Sequence, residues 1–187
     1  LNGIHPEIRH TACSAAAVVY PKTQMDMVRV GILTYGYWPS KETQIHYLHK
    51  TKYKLNPLRQ IITWRTKVMS LKSVKEGEFV GYGTTYMALE KKKIAVVPLG
   101  YSHGFSRSLS NQGRVLINGQ RVGVVGMVNM NMATVDVTYV DKVKVGDEVI
   151  IIGKQGDNYI TVSSFGELSE QVNYELLTRL PSRIKRI

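Results

Sequence analysis

The fold of this chain is decided by residues 114–125, which read RVLINGQRVGVV. Two runs of strand-forming residues flank Asn118-Gly119, a dipeptide that tolerates the positive φ angles of a type I′ turn. This stretch therefore predicts a β-hairpin, and the question becomes how much more of the chain is built in the same way.

Similar strand signals recur on both sides of this hairpin at regular spacing. A turn is predicted at 75–78, and Ser164 with Glu167 predicts a capping box on one short helix. The predicted strands cover residues 61–74, 94–97, 134–138 and 149–153. Many short, evenly spaced strands are typical of a β-sandwich or barrel, so residues 58–187 are predicted to form a mainly-β domain.

The first 57 residues follow a different pattern. Residues 15–19 are small and apolar and stop at Pro21, which predicts a short helix. Residues 27–33 predict a buried strand with Arg29 embedded in it. Helix and strand in alternation indicate α/β structure, so we expect an α/β segment over 1–57 joined to the β domain near 53–57.

Composition limits the classes of protein that fit. The chain has 187 residues, 43% of them hydrophobic, a net charge of +11 and one cysteine, Cys13. No disulfide can form within it, no metal-ligand cluster is apparent, and no apolar run approaches the roughly 18 residues of a membrane span. Residues 1–6 do not resemble a signal peptide. We therefore expect a soluble cytoplasmic protein with no metal and no membrane partner.

A basic stretch runs from Thr43 to Lys75 and contains eight Lys or Arg and no acidic residue. Aromatic residues are interleaved with these charges, a combination that can bind a phosphate backbone and stack bases. The alternative is a solvated basic face that meets an acidic surface. No RNA- or DNA-binding motif accompanies the charge, so we expect no nucleic-acid partner.

Tyr82 lies between Gly81 and Gly83 in the stretch VGYGTTY, residues 80–86. Glycine lets the backbone bend sharply, and a tyrosine at such a bend projects instead of packing. Its hydroxyl can act as a general acid or base. The alternative is a turn in which the tyrosine is an aromatic plug.

Seven short motifs stand out along the chain: HTACSA at 10–15, MVRVGI at 27–32, GYGTTY at 81–86, GYSHG at 100–104, VNMNM at 128–132, VGDEV at 145–149 and VNYE at 172–175. In this order and spacing they resemble the alanine racemases, which are fold-type III pyridoxal-phosphate enzymes. The resemblance implies that residues 1–57 are the end of a (β/α)8 barrel and residues 58–187 the C-terminal β domain. The family's lysine that forms a Schiff base with pyridoxal 5′-phosphate has no counterpart here, so the chain is expected to be part of a racemase.

The resemblance also implies the chemistry of the site. Racemisation needs a proton removed from one face of Cα and returned to the other, so two bases are required. Tyr82 matches one base, and the absent lysine is the other. Met130 matches a position whose main-chain N–H binds the substrate carboxylate. In the family, a head-to-tail homodimer places Tyr82 and Met130 in the partner's site.

Cofactor contacts follow from the same resemblance. Ser14 and the amides of Gly31 and Ile32 match positions that hold the cofactor phosphate, and Tyr174 matches another phosphate contact. Arg29 matches the arginine that faces the pyridine nitrogen, and His10 matches the residue that positions it. Without the resemblance, Ser14 is a small packing residue, Tyr174 a core aromatic, Arg29 half of a buried ion pair and Cys13 a buried thiol.

Tyr101 and Arg107 match residues that line the corridor through which substrate enters. The alternative is that both are ordinary surface residues. Three positions depart from the family pattern, with His103 and Asn131 in place of aspartates and Met127 in place of arginine. The resemblance as a whole implies an alanine racemase that supplies D-alanine for peptidoglycan. The alternatives are a racemase of broader amino-acid preference and a non-catalytic β-domain binding module.

Overall fold

A computed structural model describes residues 3, 5–52, 55–169 and 173–187. The chain divides into two units, Leu1–Ile62 and Thr63–Ile187. Part of the expected linker, residues 53–54, and Val172 of the last motif lie outside the described residues.

The first unit is built from short helices. Helix α1 covers Ser14–Val19 and confirms the helix predicted at 15–19. Single 3₁₀ turns follow at Pro21–Thr23 and Ile32–Tyr35. Helix α2, Lys41–Lys50, was not predicted; it begins after Ser40, whose hydroxyl accepts a hydrogen bond from the Thr43 amide at 3.2 Å.

The prediction of a buried strand over 27–33 is wrong. Among the described residues, Arg29 forms one parallel bridge, to Cys13, in which its amide donates to the Ala12 carbonyl at 2.9 Å. Met27 and Val28 are 41% and 39% exposed. An apolar run becomes a strand only when a ladder of backbone hydrogen bonds forms along it. Here a single bridge leaves residues 27–31 exposed, and the buried Ile32 begins a 3₁₀ turn instead.

The second unit confirms the mainly-β prediction, with two antiparallel sheets. The strands are β1 Trp64–Lys67, β2 Ser70–Val74, β3 Lys92–Val97, β4 Arg114–Ile117, β5 Gln120–Gly123, β6 Ala133–Asp136, β7 Glu148–Gln155 and β8 Asn158–Ile160. The larger sheet has the order β1-β7-β4-β5, with β8 paired to β7, and the smaller has the order β2-β3-β6.

The segment predicted as strand-like over 61–74 is two strands that belong to different sheets. The chain changes sheet at Val68 and Met69, where the Val68 amide donates to Asp147 at 2.8 Å and the Met69 amide to Val96 at 2.9 Å. Val68 is 2% exposed at this crossing. Strands that switch sheets in this way make the corners of packed β-sheets.

The hairpin is confirmed. Strands β4 and β5 pair from Arg114 with Gly123 to Ile117 with Gln120. Asn118 and Gly119 have φ angles of 49° and 75°, the two positive values that a type I′ turn requires.

Two helices, α3 Val162–Ser169 and α4 Asn173–Arg179, follow the last strand. The predicted role of Ser164 as a cap is wrong. Thr161 precedes the helix, and its Oγ1 accepts a hydrogen bond from the Ser164 amide at 3.1 Å. Thr161 therefore caps α3, and Ser164 occupies the third helical position.

The core of the second unit contains an aromatic row. Phe105, fully buried, makes edge-on contacts with Trp64 and Phe165, at centroid distances of 6.4 and 5.7 Å. Such edge-to-face pairs are a favoured aromatic geometry. None of the helices in the described ranges is long and apolar enough to cross a membrane.

Candidate active site

Tyr82 projects from a bend that its flanking glycines make possible. Gly81 and Gly83 have φ angles of 81° and 74°, in the region that favours glycine. The Tyr82 residue is 75% exposed at the start of the single turn Tyr82–Thr84. The Val80 amide donates to the Tyr86 carbonyl at 2.9 Å and closes the base of the loop. The turn therefore presents a phenol to solvent, and the interpretation as a packed plug is wrong for this chain.

The Tyr82 loop lies against a second segment, residues 126–130. Gly126 has φ of 77°, and a Cβ there would come within 2.7 Å of the Val80 carbonyl oxygen. A Cβ on Gly81 would lie 3.4 Å from the Met127 nitrogen. The two backbones approach so closely that glycine is needed at Gly126, and the segment that ends at Met130 is placed beside the Tyr82 loop.

Met130 and Tyr101 lie on adjoining turns. The amides of Tyr101 and Ser102 donate to the carbonyls of Asn129 and Met130, at 3.1 and 3.0 Å. A Cβ on Gly100 would overlap both of those carbonyl oxygens. Met130 is 55% and Tyr101 46% exposed, so both side chains are available on the surface of this unit.

Two of the residues that depart from the family pattern, Asn131 and His103, are held by hydrogen bonds. The guanidinium of Arg183 lies nearby and donates to the Ser102 carbonyl at 2.9 Å. Ser102 Oγ donates to Asn131 Oδ1 at 2.7 Å, and His103 Nδ1 accepts from the Gly100 amide at 3.2 Å. Burial, followed by the positive charge of Arg183, lowers the pKa of His103. His103 is therefore neutral at pH 7 and suited to accept this hydrogen bond.

Arg107 is exposed and begins the 3₁₀ turn Arg107–Leu109. Sequence reasoning missed the two residues that follow this turn. Ser110 Oγ accepts from the Val128 amide at 2.9 Å, and Asn111 contacts both Gly126 and Thr85. Nothing local in the sequence indicates these contacts, because their partners are 15 to 26 residues away.

Tyr174 lies on α4 and is 42% exposed. It is therefore not the fully buried core aromatic that we gave as its alternative.

In the first unit, the structure brings Ser14 and Gly31 together. Ser14 is 2% exposed, and its Oγ accepts a hydrogen bond from the Gly31 amide at 3.0 Å. A Cβ on Gly31 would meet nothing within 4 Å, so there is open space on the Cα side of this residue. Ile32 follows at the start of a 3₁₀ turn with its side chain buried. A hydroxyl and adjacent backbone amides are a donor set suited to an anion.

Arg29 and His10 are both exposed in this unit. The guanidinium of Arg29 donates to the Thr11 carbonyl at 3.4 Å, one residue beyond His10. The buried ion pair offered as the alternative for Arg29 is therefore wrong for this unit. Cys13 is exposed rather than buried, and the backbone amides of Ala16 and Ala15 lower the pKa of its thiol.

No group of three His, Cys, Asp or Glu residues in the described part of the chain is arranged to hold a metal ion. Among the described residues, the predicted site contributes an exposed phenol in the second unit and, in the first, a serine hydroxyl hydrogen-bonded to a backbone amide.

Comparison with known families decides what these features belong to. Residues 61–187 match the family model described as "Alanine racemase, C-terminal domain". The chain belongs to the alanine racemase family. Residues 1–39 match the companion model, "Alanine racemase, N-terminal domain".

Individual racemases agree with this assignment. The alanine racemase of Clostridium perfringens strain SM101 is 40% identical over 186 residues, which are 100% of this chain and 46% of that protein. The crystal structure of the Bacillus anthracis alanine racemase with bound L-Ala-P is 34% identical, with a TM-score of 0.85 over 97% of this chain and 45% of that one. The Streptomyces lavendulae alanine racemase is 32% identical, with a TM-score of 0.86 over 99% and 46%. The chain therefore spans a little under half the length of the racemases it matches.

Proposed function

We propose that the protein to which this chain belongs is a pyridoxal-phosphate-dependent alanine racemase that interconverts L- and D-alanine. The observation that carries the proposal is the projecting Tyr82, 75% exposed on a glycine-flanked bend, in a chain of the alanine racemase family. A base must reach the Cα proton without being buried among its own neighbours, and this bend allows that. A lysine outside this chain is the second base.

The cofactor-binding part of the proposal rests on the first unit. Ser14 Oγ and the amides of Gly31 and Ile32 would hold the phosphate of pyridoxal 5′-phosphate. The hydrogen bond from the Gly31 amide to Ser14 Oγ, at 3.0 Å, holds two of these groups side by side. When bound, the cofactor withdraws electrons from Cα and so eases removal of its proton. Tyr174 is the further phosphate contact that the family resemblance implies.

Arg29 would donate a hydrogen bond to the cofactor's ring nitrogen, with His10 as the residue that positions it. A guanidinium does not give up its proton, so the ring nitrogen would stay unprotonated. A weaker electron sink limits how long charge persists at Cα, which favours return of the proton over side reactions.

The assembly in this proposal is a head-to-tail homodimer in the cytoplasm. Tyr82 and the Met130 amide would act in the partner's site, with Tyr101 and Arg107 along the corridor through which alanine enters. Residues 1–57 would complete a barrel, and residues 58–187 would be the domain that reaches the partner. The product, D-alanine, would supply peptidoglycan.

Replacing Tyr82 tests the proposal. In the full-length protein loaded with pyridoxal 5′-phosphate, Tyr82→Phe removes the hydroxyl and is expected to lower kcat for alanine racemisation by about 100-fold or more, the usual contribution of a general base. Racemisation is followed by chiral chromatography of both enantiomers.

Tyr139 provides a matched control. It is equally exposed, at 75%, and its hydroxyl donates to Glu90 at 3.1 Å, in a surface network at the end of β6. Tyr139→Phe is expected to leave kcat unchanged. Wild-type turnover by Tyr82→Phe would refute the proposed role.

A racemase of broader preference is the second candidate, and the loss of two acidic side chains favours it. Asn131 and His103, which stand where the family pattern has aspartates, are hydrogen-bonded to Ser102 Oγ and to the Gly100 amide and carry no negative charge. Turnover of alanine, serine and lysine by the full-length protein separates the two. Comparable kcat/KM for all three would favour the broader enzyme, and a strong preference for alanine the first.

A further inference from the structure

Asn111 joins two segments of the candidate site through one side-chain amide. Its Oδ1 accepts a hydrogen bond from the Gly126 amide at 2.6 Å, and its Nδ2 donates to the Thr85 carbonyl at 3.2 Å. Gly126 begins the segment that leads to Met130, and Thr85 ends the turn that carries Tyr82. The planar side-chain amide of Asn111 therefore sets the spacing between the Tyr82 turn and the segment that leads to Met130.

The Tyr82 turn depends on such contacts because its own side chain contributes little packing. Tyr82 is 75% exposed, and the following residues Gly83 and Thr84 have φ angles of 74° and 50°. A non-glycine residue at positive φ is held there by its surroundings. The hydrogen bond between the Val80 amide and the Tyr86 carbonyl fixes the base of the loop. The side chain of Asn111 holds the loop at Thr85, just after the turn.

We propose that Asn111 is a positioning residue for Tyr82, one that fixes the distance between the catalytic turn and the Met130 segment. The proposal rests on the proposed function, in which both of those residues meet the substrate. A base displaced by about 1 Å can lose a factor of about 100 in rate, so two hydrogen bonds at this point control turnover.

Two substitutions separate the contacts without straining the backbone. Asn111 has φ of 58°, a conformation that Asp and Gly also adopt. Asn111→Asp keeps the acceptor for Gly126 and replaces the donor to Thr85 with an oxygen that repels its carbonyl. Asn111→Gly removes both contacts.

Asn118 is the matched control for Asn111. It has φ of 49°, and its Nδ2 also donates to a backbone carbonyl, that of Asp141 at 3.2 Å. It lies in the β4–β5 turn and contacts neither segment of the site. Asn118→Gly removes an equivalent hydrogen bond from an equivalent backbone position.

The first measurement is amide hydrogen exchange by mass spectrometry on the full-length protein. Asn111→Asp and Asn111→Gly are expected to speed exchange at residues 82–86, and Asn111→Gly also at 126–130, by about tenfold, while Asn118→Gly leaves these peptides unchanged. Wild-type exchange at 82–86 in both Asn111 variants would overturn the proposal, whether or not the protein racemises alanine.

The second measurement is kinetic and distinguishes positioning from general damage. Asn111→Gly is expected to lower kcat by about 10- to 100-fold. In D2O, the rate of deuterium incorporation at Cα is measured with each alanine enantiomer as the starting substrate. The rate should fall strongly for the enantiomer whose proton Tyr82 removes and little for the other, because the second base is intact. An equal fall from both enantiomers would overturn the proposal. Full activity of Tyr82→Phe in parallel would instead overturn the proposed function, and the exchange data would still decide whether Asn111 holds the loop.

Discussion

Asp136 shows how single residues set stability in the second unit. Its Oδ1 accepts hydrogen bonds from the Thr138 amide at 2.9 Å and hydroxyl at 2.5 Å, and Lys92 Nζ lies 3.3 Å from Oδ2. Burial raises the pKa of Asp136, but the hydrogen bonds from Thr138 and Lys92 outweigh burial and lower it. The ionised carboxylate therefore contributes stability above the unfolded pKa of about 3.9, and this stability is lost as pH falls through the lower folded pKa.

We expect Asp136→Asn to lower the free energy of unfolding by about 1–2 kcal/mol at pH 7. The loss should be smaller near pH 3, below the unfolded pKa, where the ionised carboxylate stabilises the folded state less. Urea denaturation at the two pH values measures the difference. Glu148→Gln removes the exposed ion pair with Arg65 at 3.0 Å and should change stability by less than about 0.5 kcal/mol. Equal losses at both pH values for Asp136→Asn would contradict this account.

At the scale of elements, turns show what a local pattern can specify. Gly119→Ala is expected to lower the free energy of unfolding by about 1 kcal/mol, because φ of 75° is strained for alanine. Asn118→Gly, at the neighbouring position, relieves backbone strain but loses the hydrogen bond from Nδ2 to the Asp141 carbonyl, so these opposing effects should largely cancel. Thermal denaturation of both variants measures this, and a neutral Gly119→Ala would show that the hairpin can change its turn.

The hairpin could be predicted because its signal is contained in 12 consecutive residues. The helix α2 could not be predicted from apolar periodicity because it carries few apolar residues, and its one local signal is the Ser40 cap. The 27–33 segment has the composition of a strand, but strands depend on partners that composition does not reveal. In the candidate site, Tyr82 was found through its flanking glycines, whereas Asn111 was missed because its role comes only from residues distant in sequence.

At the scale of the whole unit, the crossing at Val68–Met69 connects the two sheets. Val68→Ala leaves a cavity at a residue that is 2% exposed and is expected to lower the free energy of unfolding by about 2 kcal/mol. The Val68 amide donates to Asp147, beside the larger sheet, and the Met69 amide donates to Val96 in the smaller sheet. Amides in both sheets should therefore lose protection from hydrogen exchange together. Hydrogen exchange of β7 and β3 in the variant measures this, and loss from only one of them would show that the sheets unfold separately.

The pairing of β1 with β7 also has a consequence for synthesis on the ribosome. Arg65 and its partner Glu148 are 83 residues apart, and at 5–20 residues per second the second strand is made roughly 4 to 17 seconds after the first. Throughout that interval Trp64 has no strand to pair with. The nascent chain therefore leaves Trp64, the one buried side chain of this strand, and the backbone hydrogen-bonding groups of β1 without their partners for seconds in every round of translation.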